Sequence, residues 1–261
     1  MKIVVLVKHV PDTAADRHFA ADLTLDRAAA PGRLNEPDEY ALDQALRIAK
    51  LRPGVLITAL TMGPRGAQAA LRRALALGAH RGVHVLDDAL HGSDALATSR
   101  VLATAVDRLG FDLVLCGTAS TDSGTSMVPP MLAERLGVAA LCFADTLRIE
   151  GDEAIGRRES ETAIEEVAVP LPAVVSVTDR SGRPRLPSVR ALAEARQTPL
   201  RTWTLADLDI AADEVGLAAA ATAVRMVIPH TRRAAGGIIR DDEQGGAAVG
   251  LADFLTERHF I

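Results

Sequence analysis

Four short apolar runs constrain this chain more than any other feature in it. Residues 2–8 (KIVVLVK), 55–61 (VLITALT), 83–86 (VHVL) and 113–116 (LVLC) are rich in Val, Ile and Leu, with little polar interruption. Such a run suits a strand covered on both faces, and strands of that kind belong to parallel sheets whose crossover helices hide both sides. The segments between them have helical apolar spacing. Asn35-Glu36-Pro37-Asp38 opens one helix, with Pro37 and Asp38 in a first turn that tolerates both a missing N–H and a negative charge. Tyr40, Leu42, Ala45, Leu46 and Ala49 give that helix its buried face. A second helix runs from Ala67 to Leu77 and closes at Gly78; a third, capped by Ser93, runs to Leu109 and closes at Gly110.

A β-α-β-α alternation of this kind predicts an α/β fold: a doubly wound, mostly parallel, Rossmann-like sheet with right-handed crossovers. Ligands of such sheets bind outside the carboxyl ends of the strands, where strand order reverses. The turns after Lys8, Thr61 and Cys116 all lie on that edge.

The turn after Cys116 has the most suggestive chemistry. Residues 112–134 (DLVLCGTASTDSGTSMVPPMLAE) run from a strand through a loop of Gly, Ser, Thr and one Asp into a helix. Loop N–H groups and the positive end of the helix can converge there on an anion. The same polar loop could instead simply cap the helix.

Residues 9–34 form a long excursion with Pro11 and Pro31, and a short hairpin is expected near residues 24–26. Beyond Gly137 the pattern changes to strand-like runs at 146–149, 154–157, 164–169 and 173–177, with Gly151-Asp152 as a hairpin turn. Pro170 and Pro172 place the last of these at an edge or interrupt it. From residue 181 the chain is Arg- and Pro-rich, with a weakly amphipathic segment at 189–196. Gly236-Gly237 and Gly245-Gly246 frame a polar stretch, and residues 248–258 read as a last helix. The expected organisation is an α/β nucleotide-binding domain over 1–180, with a β-hairpin excursion. An extended arm over 181–261, carrying a docking loop, would wrap a partner surface.

Composition narrows the function. Hydrophobic residues make up 48% and charged residues 24%, as in a soluble protein with an adequate core. Aromatics are 3% and the formal net charge is -5, which argues against nucleic-acid binding through stacking or phosphate neutralisation. The start, MKIVVLVKHV, reads as a strand rather than a signal peptide, and no run approaches membrane-spanning length, so a cytoplasmic location without membrane insertion is expected. Cys116 and Cys142 lack metal or redox spacing and read as free thiols.

There is no GxGxxG after the first strand, no phosphate-binding GxxxxGK[ST] and no GxSxG elbow. His80 and His84 lie across a turn and a strand and read as structural histidines rather than metal ligands. Glu159, Glu161, Glu165 and Glu166 suit a solvated hairpin or a partner contact. No residue looks like an activated nucleophile, so a carrier or binding subunit fits better than a self-contained enzyme.

Five segments together resemble the β subunit of electron transfer flavoprotein, in the form found in high-GC Gram-positive bacteria. They are VLVKHVPDT, NEPDEYALDQALRI, MGPRGAQAALRRALALGAHRGVHV, STDSGTSMVPPMLAE and RRESETAIEEVAVPLPAVVSV. The resemblance implies a heterodimer with an α subunit that holds most of a redox-active FAD, while the β subunit, an adenine-nucleotide-binding fold, holds a structural AMP. Electrons would pass from acyl-CoA and related dehydrogenases, as in fatty acid β-oxidation, through the FAD to a membrane quinone oxidoreductase. An electron-bifurcating form, with a second FAD in place of AMP, is the alternative within the family. A stand-alone universal-stress-type regulatory protein is the alternative outside it, but it leaves the C-terminal arm without a purpose.

Carried over residue by residue, the AMP pocket falls on Leu6, Asn35, Asp38, Met62, Gly63, Thr121, Asp122, Ser123, Gly124 and Thr125. Leu6 and Met62 would flank the adenine, with Asp122, Ser123 and Thr125 by the ribose and phosphate. Glu159 falls where the family pairs a glutamate with an α-subunit arginine. The docking loop maps to residues 186–196, with Leu186, Val189 and Leu192 as its apolar residues and Val189 as anchor. The sequence departs from the family pattern in having Thr162-Ala163 where paired glycines are usual, and Pro37 where an aromatic is common.

Overall fold

The computed structural model describes residues 1–27, 29–228, 236–240 and 245–261. The chain divides into two units, Met1–Arg225 and Met226–Ile261. The first is built on a seven-stranded sheet. Its strands are β1 (Lys2–Leu6), β4 (Leu56–Met62), β5 (Arg81–Val85), β6 (Leu113–Gly117), β7 (Ala139–Ala144), β11 (Ala173–Val177) and β12 (Leu200–Trp203), in the order β12-β5-β4-β1-β6-β11-β7. Every pairing in it is parallel. From β1 the chain moves outward through β4 to β5, then returns to place β6 on the other side of β1. The strand order therefore reverses between β1 and β6.

Burial follows the pleat. Ile3, Val5 and Val7 join one core layer with Ala41, Leu42 and Leu71 from helices α1 (Glu36–Leu51) and α2 (Gln68–Leu77). Val4 and Leu6 face the other layer with Val101 and Leu132 from α3 (Ala95–Leu109) and α4 (Val128–Leu136). Such alternation is what period-two side chains must do when both faces are covered. The polar start of α3 differs in detail from expectation: Asp94, not Ser93, is the N-cap and accepts from the Ala97 N–H. Ser93 instead accepts from the N–H of Gly216, which opens the short α6 (Gly216–Ala219).

The short strands that close the excursion have no counterpart in the sequence reading, whereas the strand runs after residue 145 match it closely. The base of the 9–34 excursion is closed by β2 (His9–Pro11) and β3 (Gly32–Leu34), paired antiparallel. Its tip turns back through a Phe19–Leu25 bridge, close to the expected hairpin. β8 (Thr146–Glu150), β9 (Glu153–Glu159) and β10 (Ile164–Pro170) make a separate antiparallel sheet between β7 and β11. The expectation that the 173–177 strand is an edge is corrected: it lies between β6 and β7, with Pro170 ending β10 and Pro172 in the connection just before β11. The 189–196 segment is α5 (Val189–Gln197), and β12 beyond it extends the main sheet.

The second unit contains α7 (Gly246–Glu257), over the span where a last helix was expected. Residues 241–244 of the Gly-framed polar stretch lie outside the described residues. Among the described residues no helix is long and apolar enough to cross a membrane.

Candidate functional site

Three chain segments meet at the carboxyl edge of the sheet, at the β1–β6 reversal. The first follows β1 and carries Lys8. The second is the start of α1, with Asn35 and Asp38. The third is the 117–125 loop after β6. Asn35 is a residue type that ordinarily caps a helix with its own side chain, yet its side chain makes no cap bond here. Its Nδ2 donates to the Ala119 carbonyl at 3.0 Å and its Oδ1 accepts from the Thr121 N–H at 3.0 Å. Asn35 thus spends both ends of its amide on fixing the loop, and it is fully buried. A side chain taken from its local job and given to a loop marks a site rather than a helix end.

Gly117, where β6 ends, lets the loop pass tight against α1. A Cβ there would lie 2.6 Å from the Pro37 backbone carbon and 2.7 Å from Asp38 Oδ1. The Asp38 carboxylate accepts from the Lys8 N–H at 2.8 Å. Burial raises its pKa to about 7, against the opposing pull of bonds from Lys8, Asn35 and Gly117.

Asp122 forms the centre of the site. Its side chain is 2% exposed and lies between two cations, Lys8 Nζ at 2.7 Å and Arg27 Nη2 at 2.7 Å. Burial alone would raise its pKa, but Lys8, Ser120 and Arg27 outweigh that and hold it down at about 2. Lys8 is shifted downward by its own burial, partly offset by Asp122. Lys8 Nζ also donates to Ser120 Oγ at 3.1 Å, and the Ser120 and Ser123 hydroxyls are 2.6 Å apart. The 9–34 excursion is tied down over this loop: Arg17 Nη2 donates to the Thr121 carbonyl at 2.7 Å, and Arg27 reaches Asp122. The hydroxyls do not cap the following helix. Met127 is the N-cap of α4 and makes no side-chain cap bond, so the loop's polarity serves another purpose.

Of the sequence-expected pocket residues, the structure gathers Asn35, Asp38, Thr121, Asp122 and Ser123 into one bonded cluster. Gly124 closes the loop through its N–H to the Ser120 carbonyl at 2.8 Å, and Thr125 is exposed beyond it. Leu6 ends β1, buried in the same core layer against which half-buried Met62 packs. Gly63 stands two strands from the loop and is bonded to β5: its N–H donates to the Val85 carbonyl, and its carbonyl lies 2.8 Å from His84 Nε2. His80 is likewise engaged, its Nδ1 accepting from the Ile57 N–H. The sequence reading missed Lys8, Arg27 and Ser120. Lys8 had a usable signal, since it is the first charged residue past the carboxyl end of a central strand.

The expected docking residues lie elsewhere. Glu159 ends β9 and pairs with Arg180 at 2.5 Å. The hairpin that follows closes without glycine, Ser160 donating to and accepting from Ala163. Glu165 and Glu166 are paired with Arg158 and Arg148, consistent with a solvated, charge-laced hairpin. Leu186 and Val189 are 87% and 85% exposed, and Leu192 is also exposed.

A family model described as an electron transfer flavoprotein domain matches residues 22–208. A curated protein of Mycobacterium leprae called electron transfer flavoprotein subunit beta is 40% identical over 253 residues, 95% of each chain. The protein of that name from Clostridium acetobutylicum is 33% identical over the whole of both chains. Subunit CarD of the caffeyl-CoA reductase–Etf complex of Acetobacterium woodii is 32% identical, again over both chains in full.

Proposed function

This chain belongs to the family of electron transfer flavoprotein β subunits, and on that premise we propose that it is one half of a heterodimeric electron carrier. Its α partner holds most of an FAD that takes electrons from acyl-CoA and related dehydrogenases and passes them to a membrane quinone oxidoreductase. When bound, the FAD supplies the redox chemistry; this chain supplies a nucleotide pocket that holds its own fold together and a surface on which donors dock. The β1–β6 cluster of Lys8, Asn35, Asp38, Ser120 and Asp122 carries the reading of the pocket.

The residues present fit a nucleoside monophosphate. Lys8 and Arg27 face an ionised Asp122 and an Asp38 that burial leaves partly protonated near neutrality, so the cluster carries less than one unit of net positive charge, which suits a single phosphate better than a pyrophosphate. Asn35 orients the loop amides, and Leu6 and Met62 offer an apolar wall for a base. This supports AMP over a second FAD.

Co-expressed with its α partner, the chain is expected to purify as a yellow one-to-one complex that releases AMP and FAD in equal amounts on acid extraction. A colourless chain with no affinity for the α subunit would refute the carrier reading. Two FAD per heterodimer and no AMP would replace the pocket's occupant with the bifurcating alternative.

A further inference from the structure

We propose that Asp43, on the helix whose start lines the nucleotide crevice, is a positioning residue for the docking segment, holding the strap of residues 181–185 that delivers Leu186 and Val189 to the surface. The inference rests on the reading of residues 186–196 as the donor-docking element.

Asp43 is an acidic side chain left only 3% exposed on α1. An i,i+4 pair on a helix surface needs no burial, yet Asp43, 2.6 Å from Arg47 Nε, is roofed over by another segment while Arg47 stays half-exposed. That roof is the strap. Gly182 passes so close that a Cβ on it would lie 2.7 Å from Arg47 Nη2 and 2.9 Å from Asp43 Oδ2. Beside it, the buried Gln44 donates from Nε2 to the Ser181 carbonyl at 2.5 Å.

The second carboxylate oxygen of Asp43 has no hydrogen-bond partner, and it faces the strap, where Arg185 Nε stands 3.6 Å away. A buried carboxylate oxygen without a donor is costly unless a cation answers it. Here the cation comes from the strap itself, one residue before Leu186. The far end of the docking segment is fixed separately: Ala195, on α5 itself, is buried in the core, and Arg72 Nη1 on α2 donates to the Ala195 and Thr198 carbonyls. Leu186 and Val189 therefore project from a span tethered at both ends, with Ser188 capping α5 between the tethers. Pinning both ends lowers the entropy a docking loop must lose on binding, so the clamp acts on donor affinity and not on the flavin.

The test uses the α–β complex and an acyl-CoA dehydrogenase reduced by its own substrate as donor. Asp43→Asn is expected to raise the apparent KM for the donor about fivefold, leave kcat within about twofold, and leave dithionite reduction and FAD content unchanged. Deuterium uptake of amides at 183–192 should rise, and Asp43→Glu should recover part of the KM. If Asp43→Asn fails to fold, Arg185→Gln, on the exposed side of the clamp, is expected to shift KM in the same direction by about twofold. An unchanged KM and unchanged uptake in the variant that folds would overturn the proposal. Val189→Asp separates the two ideas. If it raises KM while the Asp43 and Arg185 variants do not, the docking reading stands and the clamp falls; if it too leaves KM unchanged, the docking reading falls and takes the clamp's role with it.

Discussion

Lys8 Nζ lies 2.7 Å from Asp122 Oδ1, joining the end of the first strand to a loop 114 residues later. The bond crosses the point where strand order reverses, and Asp122 holds both Lys8 and Arg27 in place. Lys8→Met should leave Asp122 with Arg27 alone, lower AMP in the purified complex severalfold, and cost about 1 kcal/mol of stability, since Lys8 is partly exposed. Dithionite reduction of the flavin should be unaffected. Full retention of AMP on extraction would remove Lys8 from the pocket.

Asp38 should make stability fall with rising pH near neutrality. Its folded pKa of about 7 lies well above the 3.8 of an ordinary aspartate. Between those values the folded state holds a proton that the unfolded state has released, so stability declines as pH rises toward 7 and levels off above it. Asp38→Asn should flatten that slope, with a gain at pH 8 over pH 5 on the order of a few kcal/mol, read by urea unfolding at several pH values. Parallel pH profiles for wild type and variant would contradict the assignment.

Glu159 and Arg180 form an exposed pair, and such pairs contribute little. Glu159→Gln is therefore expected to move the chain's own unfolding by less than about 0.5 kcal/mol. If Glu159 instead meets an arginine of the α subunit, the same change should broaden the flavin-domain orientations seen by small-angle scattering and slow flavin reduction. Scattering identical to wild type would confine Glu159 to its pair with Arg180.

Val189 exposes nearly its whole side chain at the start of α5, where nothing in its own unit needs it. Val189→Asp should slow electron uptake from a reduced dehydrogenase by about tenfold, as loss of an apolar anchor does. The flavin spectrum and AMP content should not change. Stopped-flow rates equal to wild type would exclude it as anchor.

The central strands and helices were legible because burial on both faces writes itself as continuous Val/Leu runs, and because Gly78, Gly110 and Gly137 end helices in sequence as in space. β7 was not legible: AALCFA is short, rich in Ala, and follows a helix end almost directly. β12 was hidden because Arg201 and Thr202 are exposed, and what holds it is its pairing with β5 and its own last residue, Trp203, which lies in the core with Arg201 over its ring. β2 and β3 are three residues each, below any periodicity. At the site, Asn35, Asp38 and Asp122 came from the resemblance, while Lys8 and Arg27 emerged only when the fold brought distant segments together. Nothing in the sequence separates Asp43 from an ordinary charge on a helix face; its burial comes from the strap of residues 181–185 folded above it.

The lateness of β12 sets an order of events during synthesis. It completes the sheet by pairing Leu200 with Gly82 through Trp203 with Val85, long after β5 has left the ribosome. Until those residues emerge, the nascent domain presents β5 as an open parallel edge able to recruit any extended chain nearby. A stalled or truncated product ending before Trp203 should therefore be far stickier than its missing length suggests, and chaperone dependence should concentrate in that window of translation.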